Sequence, residues 1–525
     1  MSGRILEYRD LTADTTVSAD VCIIGSGCGG ATVAHKLAER GIDVVVLEQG
    51  GHYPTGSFDQ DELNMNAKLS AERSLKTSAD GGTTLLSGHN VGGASVHYWA
   101  DSYRTPEDRL ALWADRYGIT GHDHATLTPA WDELTQTLSV HEAPDEYFNR
   151  MNQLVRRAAG ALKWKGDRVP AARRNCQKSG HCMQGCVYEA KRSQLVTHLR
   201  TAVANGARIY ADVRALRLEM ADGRVRSLRA EVIDRARARA SGVTVTVRAK
   251  AFVVSAGGYN SAAFLMRNDL GARLPALGKG FGFNPSPMVH ALYEEDIVLW
   301  RNIPAAFGID EFRLARYDER GRYSEGGYLL MPNQIQPAML AATLPLIGNA
   351  HGAWMRRLPR IGSTIGWIDD HPDELGEIRI DSNGATRVRY PFGPVTTSML
   401  RDLVRKQLRL HFAAGATDAV VCGSQAFAFR PGDSLDRIDG LAVTASGLFM
   451  GAPHPSGGCA MGASPATSVV DPSHRVHGFR NLFVADSSVF PTAVSVDPSF
   501  TIMAFSYVAA RQVMVELGGP GVPPA

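Results

Sequence analysis

The sequence lacks long apolar runs, has few cysteines and carries little net charge. The longest apolar run near its middle, residues 337–347, is far too short to cross a bilayer. Its seven cysteines are odd in number and are not spaced as a disulfide framework, so we expect a reducing, cytoplasmic setting. A net charge of +3 over 525 residues argues against a nucleic-acid partner. The first residues show no basic segment followed by an apolar one, so we expect no signal peptide.

What the sequence does contain is typical of a folded globular protein. Hydrophobic residues make up 44% of the chain and charged residues 21%. No internal repeat and no low-complexity tract is visible. Because 525 residues exceed one ordinary core, we expect two domains or two interleaved halves.

Residues 20–48 (DVCIIGSGCGGATVAHKLAERGIDVVVLE) predict a strand, a glycine turn, a helix and a second strand. Gly25, Gly27 and Gly30 form G-x-G-x-x-G at the turn, which lets backbone amides and the helix N-terminus approach a pyrophosphate. Glu48 ends the second strand and could accept hydrogen bonds from ribose hydroxyls. The alternative is a glycine loop without a ligand. The unit predicts a dinucleotide site, and its position at the N-terminus favours FAD over NAD.

Further segments indicate a mixture of parallel and antiparallel structure. Strands are predicted at Ala207–Val213 and Val243–Ala249, and Lys250–Leu265 predicts another strand, a Gly-Gly turn and a helix. Residues 375–391 predict a hairpin around Asn-Gly, and residues 396–415 an amphipathic helix. The arginine-rich run at 235–239 is interpreted as a solvated hairpin surface.

These elements predict an α/β fold. A Rossmann-like FAD-binding domain is built from separated segments, and an α+β substrate domain with an antiparallel sheet is inserted into it. The expected boundaries are 1–110, 190–285 and 445–525 for the FAD-binding domain, 111–189 for a cysteine-containing connecting segment, and 286–444 for the substrate domain.

Three further blocks carry a family resemblance. They are GHNVGGASVHYWADSYRT at 88–105, the strand and Gly-Gly turn at 250–265, and a C-terminal block with HPSGGCAMG at 454–462 and a longer stretch at 469–504. Together with the N-terminal glycine motif and in this order, they resemble the glucose–methanol–choline (GMC) oxidoreductase family. The nearest likeness is to long-chain alcohol oxidases and to the flavin subunit of bacterial FAD glucose dehydrogenases.

The resemblance implies FAD-dependent oxidation of an alcohol. Hydride would pass from the carbinol carbon to flavin N5, and the hydroxyl proton to His454, which matches the family's catalytic histidine. A structural role of His454 in a turn is the alternative. The implied FAD-binding residues are Gly25, Ser26, Gly27, Gly30, Glu48, Asn90, Gly92, Gly93, Ser95, His97, Val213, Ala256, Gly257, Ala485, Asp486 and Pro498.

Position 497 departs from the family pattern. Relatives usually carry Asn or His there, beside the catalytic histidine, and this chain has Asp497. The carboxylate could hydrogen-bond to His454 or act as the base itself. It could instead only cap the last helix, since Asp before Pro is a common helix start. We therefore expect a catalytic role for Asp497, with the cap as the competing interpretation.

His97 matches a position at which pyranose oxidases bind the flavin covalently, whereas other relatives hold a histidine there beside a flavin bound without a covalent bond. We expect a hydrogen bond at the flavin edge.

Cys176, Cys182 and Cys186 follow C-x5-C-x3-C in a polar loop. The loop resembles one that holds a 3Fe–4S cluster in the glucose dehydrogenase flavin subunit, and a similar cysteine-rich loop before an Ala-Lys-x-Ser step in the long-chain alcohol oxidases. A cluster, a zinc ion and no metal at all stay open here.

The stretch at 328–368 is apolar and contains arginines, so it could cover a pocket for a hydrophobic alcohol or rest on a membrane surface, and an ordinary core helix pair is the equal alternative. It favours a hydrophobic or long-chain alcohol as substrate over a free sugar. Oxidation of a sugar or sterol hydroxyl is the alternative, followed by a non-redox FAD lyase of the same family. A cluster would favour an electron-acceptor protein as partner.

Overall fold

The computed structural model describes residues 3–444 and 447–519. Its α-helices are α1 (Cys28–Ala38), α2 (Glu62–Leu69), α3 (Glu107–Tyr117), α4 (His124–Thr137), α5 (Arg150–Leu162), α6 (His198–Ala204), α7 (Gly258–Arg267), α8 (Pro337–Thr343), α9 (Gly348–Met355), α10 (Pro394–Ala413) and α11 (Ser499–Glu516). None of the helices in this described part of the chain is long and apolar enough to cross a membrane.

The strands in chain order are β1 (Arg4–Leu6), β2 (Thr15–Ile24), β3 (Val44–Leu47), β4 (Thr83–Leu85), β5 (Val140–Glu142), β6 (Gly166–Arg168), β7 (Pro170–Ala172), β8 (Arg208–Tyr210), β9 (Val213–Ala221), β10 (Arg224–Asp234), β11 (Arg239–Val254), β12 (Lys279–Phe281), β13 (Ser286–Leu292), β14 (Phe307–Ile309), β15 (Arg316–Tyr317), β16 (Tyr323–Glu325), β17 (Tyr328–Pro332), β18 (Ile361–Ile368), β19 (Gly376–Ile380), β20 (Thr386–Arg389), β21 (Asp418–Val421), β22 (Phe427–Phe429), β23 (Met450–Ala452) and β24 (Leu482–Val484).

The first sheet has the order β1-β8-β3-β2-β11-β10-β9, and β24 pairs with the end of β11. The pairs β1–β8, β8–β3, β3–β2, β2–β11 and β11–β24 are parallel, and β11–β10 and β10–β9 are antiparallel. The apolar run of β2 fits this position, because Val21, Cys22 and Ile23 are fully buried in the sheet interior. Helix α1 packs against α6 and α11.

The second sheet is antiparallel along the order β22-β21-β13-β18-β17-β14-β6. All residues of β13 are buried. Helix α10 packs on this sheet through apolar residues at helical spacing, including Leu400, Leu403, Val404 and Leu408. Strand β23 pairs with both β13 and β4 and so brings the N-terminal and C-terminal blocks to the edge of this sheet.

The predicted fold class is confirmed: a mostly parallel sheet flanked by helices is accompanied by an antiparallel sheet. The hairpin at 375–391 and the helix at 396–415 are confirmed as β19–β20 and α10. One prediction is wrong, because the two strands expected at 243–249 and 250–254 are the single strand β11. It stays continuous because β2 pairs along it from Val245 to Val254. The proposed domain boundaries stay a prediction, and residues 445, 446 and 520–525 of the third segment lie outside the described residues.

Candidate active site

A cavity of about 470 Å³ lies where the carboxyl ends of β2, β3 and β11 face the second sheet. Open α/β sheets bind ligands at this end of their strands. Of the residues predicted from the sequence, those that line the cavity are Gly25, Ser26, Gly27, Glu48, Gly93, Ser95, His97, Val213, Ala256, Gly257, His454, Asp486, Asp497 and Pro498. Four others, Gly30, Asn90, Gly92 and Ala485, lie behind this lining and support it.

The glycine turn after β2 requires glycine both for its backbone conformation and because no room is left for a Cβ. Gly25 has φ +100, and a Cβ on it would stand 2.7 Å from the carbonyl carbon of Ser255. A Cβ on Gly30 would overlap the carbonyl oxygen of Gly25 and stand 3.1 Å from its carbonyl carbon. The turn and the start of α1 therefore lie directly against the segment after β11.

Glu48 links the turn to the next glycine block. Its carboxylate accepts hydrogen bonds from Ser26 N (3.0 Å), Ser26 Oγ (2.7 Å) and Gly50 N (2.8 Å). Ser26 Oγ in turn accepts from Gly92 N at 3.0 Å. Burial raises the pKa of Glu48, and the hydrogen bonds from Gly50 and Ser26 oppose the rise. The side chain is held in place at the end of β3, at the cavity wall.

Asp486 joins the two later loops of the site. Its Oδ2 accepts from Gly257 N (2.8 Å) and from Ser261 Oγ (2.5 Å), at the start of α7. Its Oδ1 accepts from Ser488 N at 2.9 Å and from Ser488 Oγ at 2.5 Å. Burial raises the pKa of Asp486 against these hydrogen bonds. Both carboxylate oxygens accept hydrogen bonds from the protein and so hold the Gly257 loop in place, and the contact of Asp486 with FAD stays a prediction.

His97 lies at the cavity wall in a fully desolvated position. Burial and, to a smaller extent, the nearby charge of Lys191 together lower its pKa to about 4, so the ring is neutral at pH 7. Among the described residues its Nε2 has no hydrogen-bond partner. An orphaned ring nitrogen, a glycine turn at a helix N-terminus and an acid at the end of β3 are features that fit bound FAD.

His454 and Asp497 meet on the side of the cavity that faces the second sheet. His454 Nε2 lies 3.3 Å from Asp497 Oδ1, and the side chains are 12% and 14% exposed. The Trp367 ring stands edge-on to the imidazole, with centroids 5.4 Å apart at 85°. In the described structure, no side chain caps α11 and Asp497 Oδ2 has no partner. The carboxylate is therefore directed at His454 and does not act as a helix cap.

The sequence analysis missed several residues of the cavity. They include Trp99, Asp101, Ser255, Gln336, Met339 and Trp367, which line it. Trp99 and Asp101 lie in the block at 88–105. The aromatic and acidic residues of this glycine-rich block were the sequence feature that could have identified them as cavity residues. Trp367 comes from β18, and only the folded sheet shows that it faces His454.

The three cysteines of the polar loop line a separate small cavity with Arg173 and Lys191. They are free thiols, and burial raises the pKa of Cys182. Within residues 3–444 and 447–519, no group of three or more His, Cys, Asp or Glu side chains is placed to hold a metal ion. The predicted metal site at Cys176, Cys182 and Cys186 is thus not supported by the geometry.

Lys191 connects this loop to the main cavity. Its Nζ donates to the carbonyl oxygens of Val96 (2.7 Å) and Tyr98 (3.0 Å), which belong to the block at 88–105, and to that of Cys182. Burial lowers the pKa of Lys191 to about 8. The cysteine loop therefore braces the segment that carries His97.

Two family models match the chain, and both are described as GMC oxidoreductase: an N-terminal model over residues 20–285 and a C-terminal model over residues 372–506. These ranges contain the glycine turn, the block at 88–105, His454 and Asp497. The match covers both sides of the cavity.

Curated relatives extend over nearly the whole chain. An "uncharacterized GMC-type oxidoreductase" of Mycobacterium tuberculosis is 30% identical over 513 residues, which is 97% of this chain and 78% of the relative. A long-chain-alcohol oxidase of Arabidopsis thaliana, FAO4B, is 25% identical over 95% of this chain and 68% of its own length.

Solved structures share the fold at lower identity. Pyridoxine 4-oxidase from Mesorbium loti superposes with a TM-score of 0.67 at 18% identity, covering 94% of this chain and 99% of its own. A formate oxidase of Aspergillus oryzae gives a TM-score of 0.71 at 15% identity, with coverages of 96% and 99%. At these identities the likeness shows the fold alone.

Proposed function

This chain belongs to the GMC oxidoreductase family, and from that premise we infer that it oxidises a hydrophobic alcohol, with long-chain alcohols favoured. FAD, when bound, supplies the acceptor for the hydride that leaves the carbinol carbon. The observation that carries the proposal is the His454–Asp497 pair, 3.3 Å apart, in the same cavity as the glycine turn and Glu48.

His454 takes the hydroxyl proton in this proposal. An imidazole suits proton removal near neutral pH, and such a base contributes about 10²–10⁴-fold to the rate. Asp497 stabilises the cation that His454 becomes, because its Oδ1 already lies 3.3 Å from Nε2. The two residues act as one proton-accepting unit at the cavity wall.

The test compares His454→Ala, Asp497→Asn and the matched control His141→Ala. His141 is exposed and its Nδ1 lies 2.8 Å from the carbonyl oxygen of Ser139, away from the cavity. We expect kcat to fall about 10²–10⁴-fold in His454→Ala, with FAD still bound, and to stay unchanged in the control. Full activity in His454→Ala would refute the assignment, and an unchanged pH–rate profile in Asp497→Asn would leave that residue without a catalytic role.

The choice of a hydrophobic alcohol is supported by the wall of the cavity opposite the glycine turn. That wall is formed by apolar and amide side chains, among them Ile335, Gln336, Met339, Ile365 and Trp367. Helix α8 lies over it, because Glu62 accepts hydrogen bonds from Ala338 N (2.8 Å) and Met339 N (2.9 Å). The relative named long-chain-alcohol oxidase points the same way.

A substrate panel tests this choice under anaerobic conditions, with the flavin absorbance as the readout. Fatty alcohols of increasing length should bleach the flavin, and kcat/KM should rise with chain length. Bleaching by sugars or sterols alone would replace the substrate class, and no bleaching by any alcohol would favour the lyase. The rates at which oxygen and an electron-accepting dye reoxidise the reduced flavin then show which kind of electron acceptor the enzyme uses.

We also propose that the protein is cytoplasmic and meets an anionic lipid surface at the edge formed by α2, α8 and α9. Ile347 is 88% exposed and Leu63 is 70% exposed, and Arg356, at the end of α9 shortly after Ile347 in sequence, is also exposed. Apolar side chains next to a cation fit an anionic bilayer interface. Ile347→Glu and Leu63→Glu should each reduce sedimentation with phosphatidylserine vesicles, and Leu314→Glu, an exposed leucine outside this edge, should not. Equal binding of all three variants would contradict the proposal.

An iron–sulfur relay to an acceptor protein stays a prediction from the sequence. Iron and sulfide analysis of anaerobically purified protein tests it. A flavin spectrum without iron would remove the relay, and an iron-containing protein would show that the cysteine loop can rearrange.

A further inference from the structure

Asp101 is a buried carboxyl in the same cavity as His454 and Asp497. It has no part in the proton transfer as proposed above for His454 and Asp497. It is 2% exposed and lines the cavity. Among the residues that the structure describes, neither of its carboxyl oxygens has a hydrogen-bond partner. Buried polar groups are almost always paired, so this carboxyl calls for an explanation.

The backbone of Asp101 is fixed on both sides. Ala172 N donates to Ala100 O at 2.9 Å, and Ser102 N donates to Pro170 O at 2.8 Å. Ser499 Oγ donates to the carbonyl oxygen of Asp101 at 3.2 Å. Because Ser499 is two residues beyond Asp497, this hydrogen bond ties Asp101 to the segment that carries the catalytic carboxylate.

The charges around Asp101 favour its protonated form. Burial raises its pKa well above the usual value for aspartate, the negative charge of Asp497 raises it further, and Arg173 opposes the rise. The Arg173 guanidinium donates to the carbonyl oxygen of Trp99 at 3.0 Å. The phenols of Tyr98 and Tyr103 also interact electrostatically with Asp101, and burial raises the pKa of each.

We propose that Asp101 is a positioning residue for the catalytic pair, a neutral acid that hydrogen-bonds through one bridging water to the unpartnered Oδ2 of Asp497. The two carboxyls then carry a single negative charge between them. Oδ1 of Asp497 stays directed at His454 Nε2. The single negative charge of the two carboxyls then balances the positive charge that His454 gains when it takes the proton. The inference rests on the proposed function, since it assigns Asp101 a part in that proton transfer.

The test uses two substitutions. Asp101→Asn keeps a hydrogen-bond donor of the same shape but cannot ionise, and Asp101→Ala removes the donor. We expect kcat to fall 10- to 100-fold in Asp101→Ala with KM changed less than threefold. Asp101→Asn should keep kcat within threefold of the wild type at pH 7. We expect kcat of the wild type to fall at alkaline pH as Asp101 ionises, and Asp101→Asn, which cannot ionise, should not show this fall. Wild-type kcat and pH profile in both variants would overturn the proposal.

A second readout does not depend on turnover. Infrared difference spectra of the FAD-loaded protein in H₂O and D₂O should show the carbonyl band of a protonated carboxyl, and Asp101→Asn should lose it. Asp370→Asn is the matched control, because Asp370 is also buried but lies outside the cavity lining. It should leave the pH–rate profile of kcat unchanged. Retention of the whole carboxyl band in Asp101→Asn would overturn the proposal even if no alcohol proves to be a substrate, so the two failures can be told apart.

Discussion

Gly29 offers a direct test of how the start of α1 packs against the segments after β11 and β24 at the cavity wall. It lies in the first turn of α1, where a Cβ would overlap the carbonyl oxygen of Ala485 and stand 2.7 Å from Ser255 Oγ. That carbonyl is held, because it accepts a hydrogen bond of 2.5 Å from Ser255 Oγ. Ala485 N also donates to Val254 O at 2.9 Å. In Gly29→Ala the helix has to move, since the edge of the sheet cannot.

Overpacking a filled interior costs about 1–3 kcal/mol, and a backbone obstacle places Gly29→Ala near the upper end of that range. We therefore expect the free energy of unfolding to fall by about 3 kcal/mol. The moving helix displaces the turn that contains Gly25 and Gly27. If about half of this strain, ~1.4 kcal/mol, reduces the free energy of FAD binding, the affinity for FAD falls about tenfold. Urea unfolding measures the first quantity, and fluorescence titration of the apoprotein with FAD measures the second.

Gly160→Ala is the matched control. Gly160 lies in α5, is exposed, and an added Cβ would meet nothing within 4 Å. Alanine should stabilise that helix by about 0.5–1 kcal/mol, with FAD affinity unchanged. The two substitutions thus have opposite predicted signs. A Gly29→Ala protein as stable as Gly160→Ala, with wild-type FAD affinity, would refute this account of the cavity wall.

Three further predictions concern His97, Glu62 and Asp370. His97 Nε2 is buried and has no hydrogen-bond partner among the described residues, so we expect it to hydrogen-bond to FAD without a covalent bond; acid precipitation should then release all the flavin, and a yellow pellet would contradict this. Glu62→Ala removes the hydrogen bonds to the start of α8, a loss of about 1 kcal/mol, and should raise KM for long-chain alcohols about fivefold with kcat unchanged; a change in kcat alone would count against it. Burial raises the pKa of Asp370 from 3.8 to about 6, so the folded state loses about 3 kcal/mol from this group as pH rises through that range. Asp370→Asn should abolish that part of the pH dependence in urea unfolding between pH 4 and 7, and an unchanged dependence would exclude Asp370 as its source.

Local spacing was sufficient to predict the dinucleotide turn. Gly25, Gly27 and Glu48 belong to one strand–helix–strand unit, whose geometry follows from short-range pattern alone. His454 and Asp497 were found through ordered motifs, and the structure adds that the carboxylate faces the imidazole and does not cap α11.

Residues whose environment is set by distant segments could not be predicted in this way. The burial of Asp101 depends on packing against Ala171 and Ser499, which no local pattern contains. The spacing of Cys176, Cys182 and Cys186 does not show whether three thiols converge. The continuity of β11 likewise depends on its partner β2, more than 200 positions away in the chain.

The pairing of β2 with β11, and of β11 with β24, has a consequence for how the protein is made. The wall of the cavity needs residues 25–30, 253–261 and 485–488 at once, so it cannot form while the last of these is still unsynthesised. Contacts of such long sequence separation also form slowly, and domains fold as units once their segments are available. Until β24 is made, the end of β11 lacks this partner, and the nascent chain must stay soluble with that part of the sheet unpaired. Cofactor supply can assist folding only after nearly the entire polypeptide has emerged, and a chain stopped before β24 should bind no flavin at all.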